Sequence, residues 1–287
     1  EGAVVVLDSR NGGILAIAGG RDYSQSQFNR ASMALRQPGS TFKLVPYTVA
    51  IERGARPGDT INCGPLQWQG QVFSSGCGGS ISLRQALAIS SNTAALRLAR
   101  RVGLEAVVQK ARDLGFTTPL QPVPGLALGQ SEVTLLELTA AYASVADGGL
   151  WHGPSTIRGL TDAENCPAGA VDGSCRRNGR SAGRPAAMGV GAGRRVMAQT
   201  TARTLQEMLR GVVNGGTGTA AWVSGGVWGK TGTTNDGRDL LFVGAVPARH
   251  WVMGVWLGND DNSPSGSSSH LAAALWGDIV RASTASP

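Results

Sequence analysis

Strand-like text stands at the two ends of this chain and helix-like text between them, and this restricts the fold more than any other feature. At the start, AVVVLDSRNGGILAIAGG (Ala3 to Gly20) is two apolar runs around Asn11-Gly12, a dipeptide that favours the tight turn of an antiparallel hairpin. At the end, GGVWGKTGTT, DLLFVGAVP and HWVMGVWLGND read as three successive strands with short breaks. Between them, STFKLVPYTVAIERG, SLRQALAISSNTAALRLARRVG, LEAVVQKARDLG, SEVTLLELTAAYASVADGG and MAQTTARTLQEMLRGVVNGG carry apolar residues at helical spacing. Ser82 is placed to cap the second of these, and HLAAALWGDIVRAS reads as a final helix. The expected fold is α/β in the α+β sense: a central antiparallel sheet formed by the N- and C-terminal strands, flanked by helices. Residues 55–150 read as an inserted, mostly helical part. Residues 161–195, rich in Gly, Arg, Ala and Pro, read as an irregular insert in a single domain of 1–287.

At 287 residues, with 41% hydrophobic and 16% charged residues, the chain can bury a real core, which excludes a disordered or fibrous protein. It has no run of about 20 apolar residues, so no helix spans a membrane. The chain opens at Glu1 with no Met and no signal peptide, and reads as a fragment of a longer protein. The net charge of +7 and pI near 9.8 are compatible with a polyanionic partner. The excess reads as spread over a solvated surface, and no nucleic-acid partner is expected. Of the 26 basic residues only Lys43, Lys110 and Lys230 are lysines. A lysine amine shifts its pKa readily on burial and a guanidinium does not, which singles out Lys43 and Lys230. The four cysteines form two local pairs, Cys63/Cys77 and Cys166/Cys175, in Gly-rich text without nearby His. Two disulfides fit this better than zinc, and imply an oxidising compartment; four free thiols are the alternative.

Three short patterns carry chemistry. Ser40 follows Pro38-Gly39 at a helix start, with Lys43 three residues on; there an amine can take the hydroxyl's proton if its pKa is lowered. Ser90 and Asn92 interrupt an apolar helix in AISSNTAA, and read either as a kinked turn or as a hydroxyl and an amide facing a cleft. Lys230-Thr231-Gly232-Thr233 lies in a strand whose Gly admits close approach of a ligand. A phosphate loop, the reading as a nucleotide-binding protein, is disfavoured here, because Ser224 stands where that motif needs its first Gly. GTGTAA (Gly216 to Ala221) follows a helix and so fails as a dinucleotide fingerprint.

Taken in order, S-x-x-K, S-x-N and K-T-G form one catalytic set. With GGRDYSQSQFNRA, RQPGSTFK, ALAISSN, LGQSEVTLLELTAAYASVADGG, GKTGTT and DLLFVGAVP, the chain resembles the transpeptidase domain of class A penicillin-binding proteins over nearly its whole length. It departs from that pattern at Leu240-Leu241, where the family often has Ala-Trp after the Asp, and in the segment carrying Cys166 and Cys175. The resemblance implies a peptidoglycan D,D-transpeptidase without cofactor or metal, whose partners are D-alanyl-D-alanine stem peptides, an amine acceptor and β-lactams. It implies Ser40 as the acylated nucleophile, Lys43 as its base and Ser90 as proton shuttle. Asn92 would hold Lys43 and the donor backbone, Lys230 would supply positive potential, and Thr231, Gly232 and Thr233 would bind substrate. The N–H groups of Ser40 and Thr233 would form the oxyanion hole. Localisation would be periplasmic or extracytoplasmic, with the family's membrane anchor and glycosyltransferase domain outside this fragment. Glu132 and Glu137 read as structural, not as a deacylating base, and Asp239 as a support of the KTG strand. His152, His250 and His270 are too dispersed for a metal site. A D,D-carboxypeptidase, a β-lactamase and a β-lactam sensor are the alternatives on the same fold.

Overall fold

A computed structural model describes residues 1–74, 76–157 and 193–284. The hairpin at Asn11-Gly12 forms, with β1 (Gly2–Asp8) and β2 (Ile14–Ala18) antiparallel. A short helix α1 (Arg30–Met33) and a 3-10 turn (Gly39–Lys43) lead into α2 (Leu44–Glu52). The stretch that reads as loop in the sequence holds two small antiparallel ladders, β3 (Thr60–Asn62) with β6 (Ser80–Ser82) and, between them, β4 (Leu66–Trp68) with β5 (Gln71–Phe73). Each strand has only three residues, too few for a period-2 pattern to show.

The segment read as one helix from Ser82 to Val102 is two: α3 (Leu83–Ala88) and α4 (Asn92–Val102). The break has a physical cause. Ser90 takes a left-handed backbone (φ 57), and Ser91 then restarts the helix by accepting the Ala94 N–H on its hydroxyl. Ser82 does cap α3, accepting the Gln85 N–H at 3.1 Å. α5 (Leu104–Asp113) and α6 (Leu135–Ala146) follow, the latter opened by a reciprocal Thr134–Glu137 capping box. β7 (Leu150–Trp151) pairs with β8 (Arg194–Arg195) before α7 (Gln199–Gly215). β9 (Trp228–Thr233), β10 (Asp239–Val246), β11 (Trp251–Gly258) and α8 (Ser269–Thr284) complete the chain. Cys166, Cys175 and residues 161–192 lie outside the described residues.

The two termini do build one sheet, five antiparallel strands in the order β2-β1-β11-β10-β9. Its faces explain the strand sequences. Ala3, Val5 and Leu7 of β1 are buried on the side covered by α6, whereas Val4 and Val6 face the layer of α8. β10 is buried at every position because helices cover both of its faces, so DLLFVGAV reads as an unbroken apolar run instead of alternating. Phe242 meets Trp276 of α8 edge-on at 5.3 Å. Within 55–150, α4 and α5 pack on α2, while α6 lies on β1 and β11. β9 is a sheet edge, and α7 and the Gly39–Lys43 turn pack against it.

Candidate active site

Three chain segments meet beside the edge strand β9. The first is the 3-10 turn, in which side chains three apart eclipse one another, so Ser40 and Lys43 share a face. The turn is anchored from α6, where the buried Tyr142 hydroxyl donates to Thr41 O at 2.7 Å. Pro38–Ser40 presses on β9 backbone to backbone. A Cβ on Gly39 (φ 52) would lie 2.8 Å from Thr233 O, and one on Gly232 would lie 2.6 Å from Pro38 O. Only glycine permits this approach from both sides, and it sets Ser40 next to Thr233.

β9 offers its free edge to this junction. The Thr234 N–H bonds Asp239 O at 3.1 Å, so by antiparallel alternation the main-chain groups of Thr233 and Thr231 point away from β10. Thr231 O accepts from Lys230 Nζ at 3.1 Å, on that outer side. Asp239 steadies the end of the strand: it is buried, accepts the Trp256 indole N–H at 2.9 Å and bonds Thr234.

The third segment is the break between α3 and α4, and it gathers both lysines. Lys43 Nζ lies 2.6 Å from Ser90 O, 2.6 Å from Asn92 Oδ1 and 3.1 Å from Ser90 Oγ. Lys230 Nζ lies 2.9 Å from the same Ser90 Oγ. Lys43 and Lys230 are 1% and 0% exposed. The left-handed backbone of Ser90 lets its carbonyl and hydroxyl both face Lys43, which an unbroken helix would forbid. Ser40 is half-buried, and its Oγ bonds none of the described residues.

Burial governs the electrostatics. Desolvation, and then the charge of nearby Lys230, hold Lys43 well below the usual lysine range. Desolvation brings Lys230 from 10.5 down to about 7. An ammonium donates three hydrogen bonds and accepts none, whereas a neutral amine has a lone pair free. In its neutral form Lys43 can donate to Ser90 O and Asn92 Oδ1 and still accept the Ser90 hydroxyl proton, while Ser90 Oγ accepts from Lys230. This gives a continuous hydrogen-bonded path between the two amines.

The structure brings together Ser40, Lys43, Ser90, Asn92 and Lys230–Thr233, as the motifs imply. Cys63 and Cys77 are joined, with Cα atoms 5.5 Å apart, and Cys77 lines a cleft with Ser90, Ser91 and Asn92. Glu137 is engaged by its cap: burial raises its carboxyl, but hydrogen bonds from Thr117 and Thr134 outweigh this and hold it below the usual range. Glu132 lines a separate cleft with Gln37 and Thr234. His152 bonds Asp147 at 2.7 Å. Among the described residues no three His, Cys, Asp or Glu side chains cluster as metal ligands. Sequence reasoning missed Thr217, whose hydroxyl is 2.6 Å from that of Thr231. It lies in the GTGTAA segment, and only the packing of α7 on β9 reveals it.

The sequence profile described as penicillin binding protein transpeptidase domain matches residues 2–281. Penicillin-binding protein 1A of Aquifex aeolicus is 37% identical over 303 residues, covering 99% of this chain and 38% of that protein. The protein of the same name from Neisseria lactamica is 32% identical over 297 residues, covering 98% of this chain and 35% of that one. The chain thus spans little more than a third of these relatives. Penicillin-binding protein 1A from Haemophilus influenzae superposes with a TM-score of 0.79 at 25% identity, over 100% of this chain and 48% of that one. PonA1 from Mycobacterium tuberculosis shares the fold, with a TM-score of 0.81 at 24% identity, over 100% and 78%. With the profile spanning nearly every residue and the three motifs assembled around one edge strand, the chain belongs to the family of penicillin-binding protein transpeptidase domains.

Proposed function

We propose that this domain is a serine D,D-transpeptidase that cross-links peptidoglycan stem peptides through a Ser40 acyl-enzyme and is acylated at the same residue by β-lactams. The observation that carries the reading is Ser90 Oγ, hydrogen-bonded to two buried lysines, 3.1 Å from Lys43 and 2.9 Å from Lys230. A structural salt bridge needs opposite charges, and burying two like cations together is costly unless one is neutral. Such a pair fits proton transfer.

Neutral Lys43 takes the Ser40 proton as Ser40 Oγ attacks the penultimate carbonyl of a stem ending in D-alanyl-D-alanine. The N–H groups of Ser40 and Thr233, held close by Gly39 and Gly232, receive the oxyanion. The proton passes from Lys43 through Ser90 Oγ to the departing amide nitrogen, the C–N bond breaks, and D-alanine leaves. An amine of a second stem then forms a new C–N bond and releases Ser40. Lys230, Thr231 and Thr233 attract the terminal carboxylate; Asn92 holds Lys43 and the donor backbone. The partners are thus donor and acceptor stem peptides, with β-lactams as inhibitors, and the working place is the extracytoplasmic face of the membrane. No helix among the described residues is long and apolar enough to cross a membrane. The β-lactamase alternative requires a free base to activate water, and the engagement of Glu137 with Thr117 and Thr134 weighs against it.

The test is intact mass after incubation with benzylpenicillin, with Ser40→Ala alongside. A one-to-one adduct that persists for hours and is missing in the variant is expected. An adduct that disappears within minutes would move the assignment to a β-lactamase, and no adduct would overturn it.

A further inference from the structure

We propose that the open cleft beside Ser90 receives the amine that takes the acyl group from Ser40, and that the Cys63–Cys77 disulfide sets the width of this acceptor subsite. The proposal rests on the transpeptidase reading above. The cleft measures about 630 Å³ and lies between Ser74, Gly76 and Cys77 on one side and Ile89 to Asn92 on the other.

The chemistry selects this cleft. During acylation the departing nitrogen must stand next to Ser90 Oγ, which hands it the proton. Deacylation by an amine retraces the step: the new C–N bond forms where the old one broke, and the amine's proton returns through Ser90 to Lys43. The bond to Ser40 Oγ then breaks, and that oxygen recovers the proton. The same groups serve both directions. The incoming nitrogen therefore takes the place of the departing one, and the rest of the acceptor extends into space that opens on Ser90. The larger cleft, bordered by Gln37, Glu132 and Thr234, does not include Ser90.

The disulfide ties one wall of the cleft to the other. Cys63 is fully buried; its N–H bonds Gly79 O at 2.8 Å, and its carbonyl accepts the Thr93 hydroxyl at 2.6 Å. Arg97 of α4 donates to Gly64 O and Pro65 O, both at 2.7 Å. Cys63 is thus fixed to α4, the helix that begins at Asn92. Cys77 stands in the run Gly76-Cys77-Gly78-Gly79, in which the glycines are exposed. Such a run has wide backbone freedom, and the bond to Cys63 holds it at a set distance from Asn92.

The test uses a thioester of an N-acyl-D-alanine as donor, with glycine or a D-amino-acid dipeptide as acceptor, and reads the ratio of aminolysis to hydrolysis products by mass. The variants are Gly76→Trp, which fills the cleft from a position where a Cβ meets nothing within 4 Å, and the pair Cys63→Ser/Cys77→Ser. The expected result is a ratio at least about tenfold lower in Gly76→Trp for the dipeptide, with a smaller drop for glycine, and a ratio several-fold lower in the disulfide variant. This partition occurs after acylation, so a general loss of stability does not move it. Unchanged ratios, or equal losses for both amines in Gly76→Trp, would overturn the inference while a Ser40 adduct in the parent leaves the transpeptidase reading standing. A parent without a Ser40 adduct would overturn both.

Discussion

Replacing Lys230 by Met should stabilise the domain near pH 6 while abolishing most of its acylation. Lys230 is 0% exposed, and burial lowers it from 10.5 to about 7. At about 1.4 kcal/mol per pKa unit, that gap withholds up to roughly 5 kcal/mol of stability wherever the lysine is charged in both folded and unfolded chains. Between about pH 7 and 10 the unfolded chain binds a proton that the folded chain does not, so this stability returns as pH rises, by at most about 1.4 kcal/mol per unit. Met fills nearly the same volume but leaves Thr231 O and Ser90 Oγ without the amine, costing about 1–3 kcal/mol. The variant should therefore be more stable than the parent by about 2–4 kcal/mol at pH 6, and the advantage should vanish or reverse by pH 9.

Urea unfolding from pH 6 to pH 9 measures the first effect. The second-order rate of labelling by a fluorescent penicillin measures the second, with a loss of about 10²-fold or more expected. A variant less stable than the parent at pH 6, or a stability difference that does not change with pH, would show that Lys230 is not a suppressed cation. Loss of labelling without the stability gain would leave Lys230 as a plain structural contact of Ser90.

Acylation by penicillin should fall on the acid side as Lys43 takes up its proton, and on the alkaline side above about pH 7 as Lys230 loses its own; a flat profile from pH 5 to 9 would contradict both assignments. Gly39→Ala should cost about 1–3 kcal/mol, because alanine is strained at φ 52 and its methyl would meet Thr233 O; thermal melting checks this, and labelling should slow as Ser40 moves from Thr233. Cys63→Ser/Cys77→Ser should lower stability by about 3 kcal/mol through the freed loop, read as a lower urea midpoint. Tyr142→Phe should cost about 1 kcal/mol by removing one of the two donors to Thr41 O, which keeps the Leu44 N–H, with melting as the measure.

The sheet was legible because its apolar runs are long and lie at the chain ends. The helices were legible wherever their apolar period ran unbroken, as in α7 and α8. Between Ser82 and Val102 the period continues across the break, so propensity could not show that Ser90 is left-handed; only the demand that Ser90 face two lysines makes sense of it. The ladders β3/β6 and β4/β5 escaped because three-residue strands carry no pattern, and they are held by long-range contacts such as Arg97 to the Gly64 and Pro65 carbonyls. Ser40, Lys43, Ser90, Asn92 and Lys230–Thr233 were visible as motifs. Thr217 was not, because its partner Thr231 lies across the junction of α7 and β9. The approach of Gly39 to Thr233 and of Gly232 to Pro38 was hidden for the same reason: a pair of close backbones leaves no local signature beyond the glycines themselves.

The scarcity of lysine in this chain has a physical reading at the site. Two of its three lysines, Lys43 and Lys230, are among its most deeply buried charged side chains, while arginine supplies the surface charge. A guanidinium in either place would stay charged and could accept no proton from a hydroxyl. A lysine can be made neutral by burial alone, and the charge of Lys230 makes that easier for Lys43. The cost is carried by the fold as the withheld stability described for Lys230, and the left-handed turn at Ser90 adds to it. Both features are retained where three segments from distant parts of the chain converge, which is where strain in the service of chemistry is expected to collect.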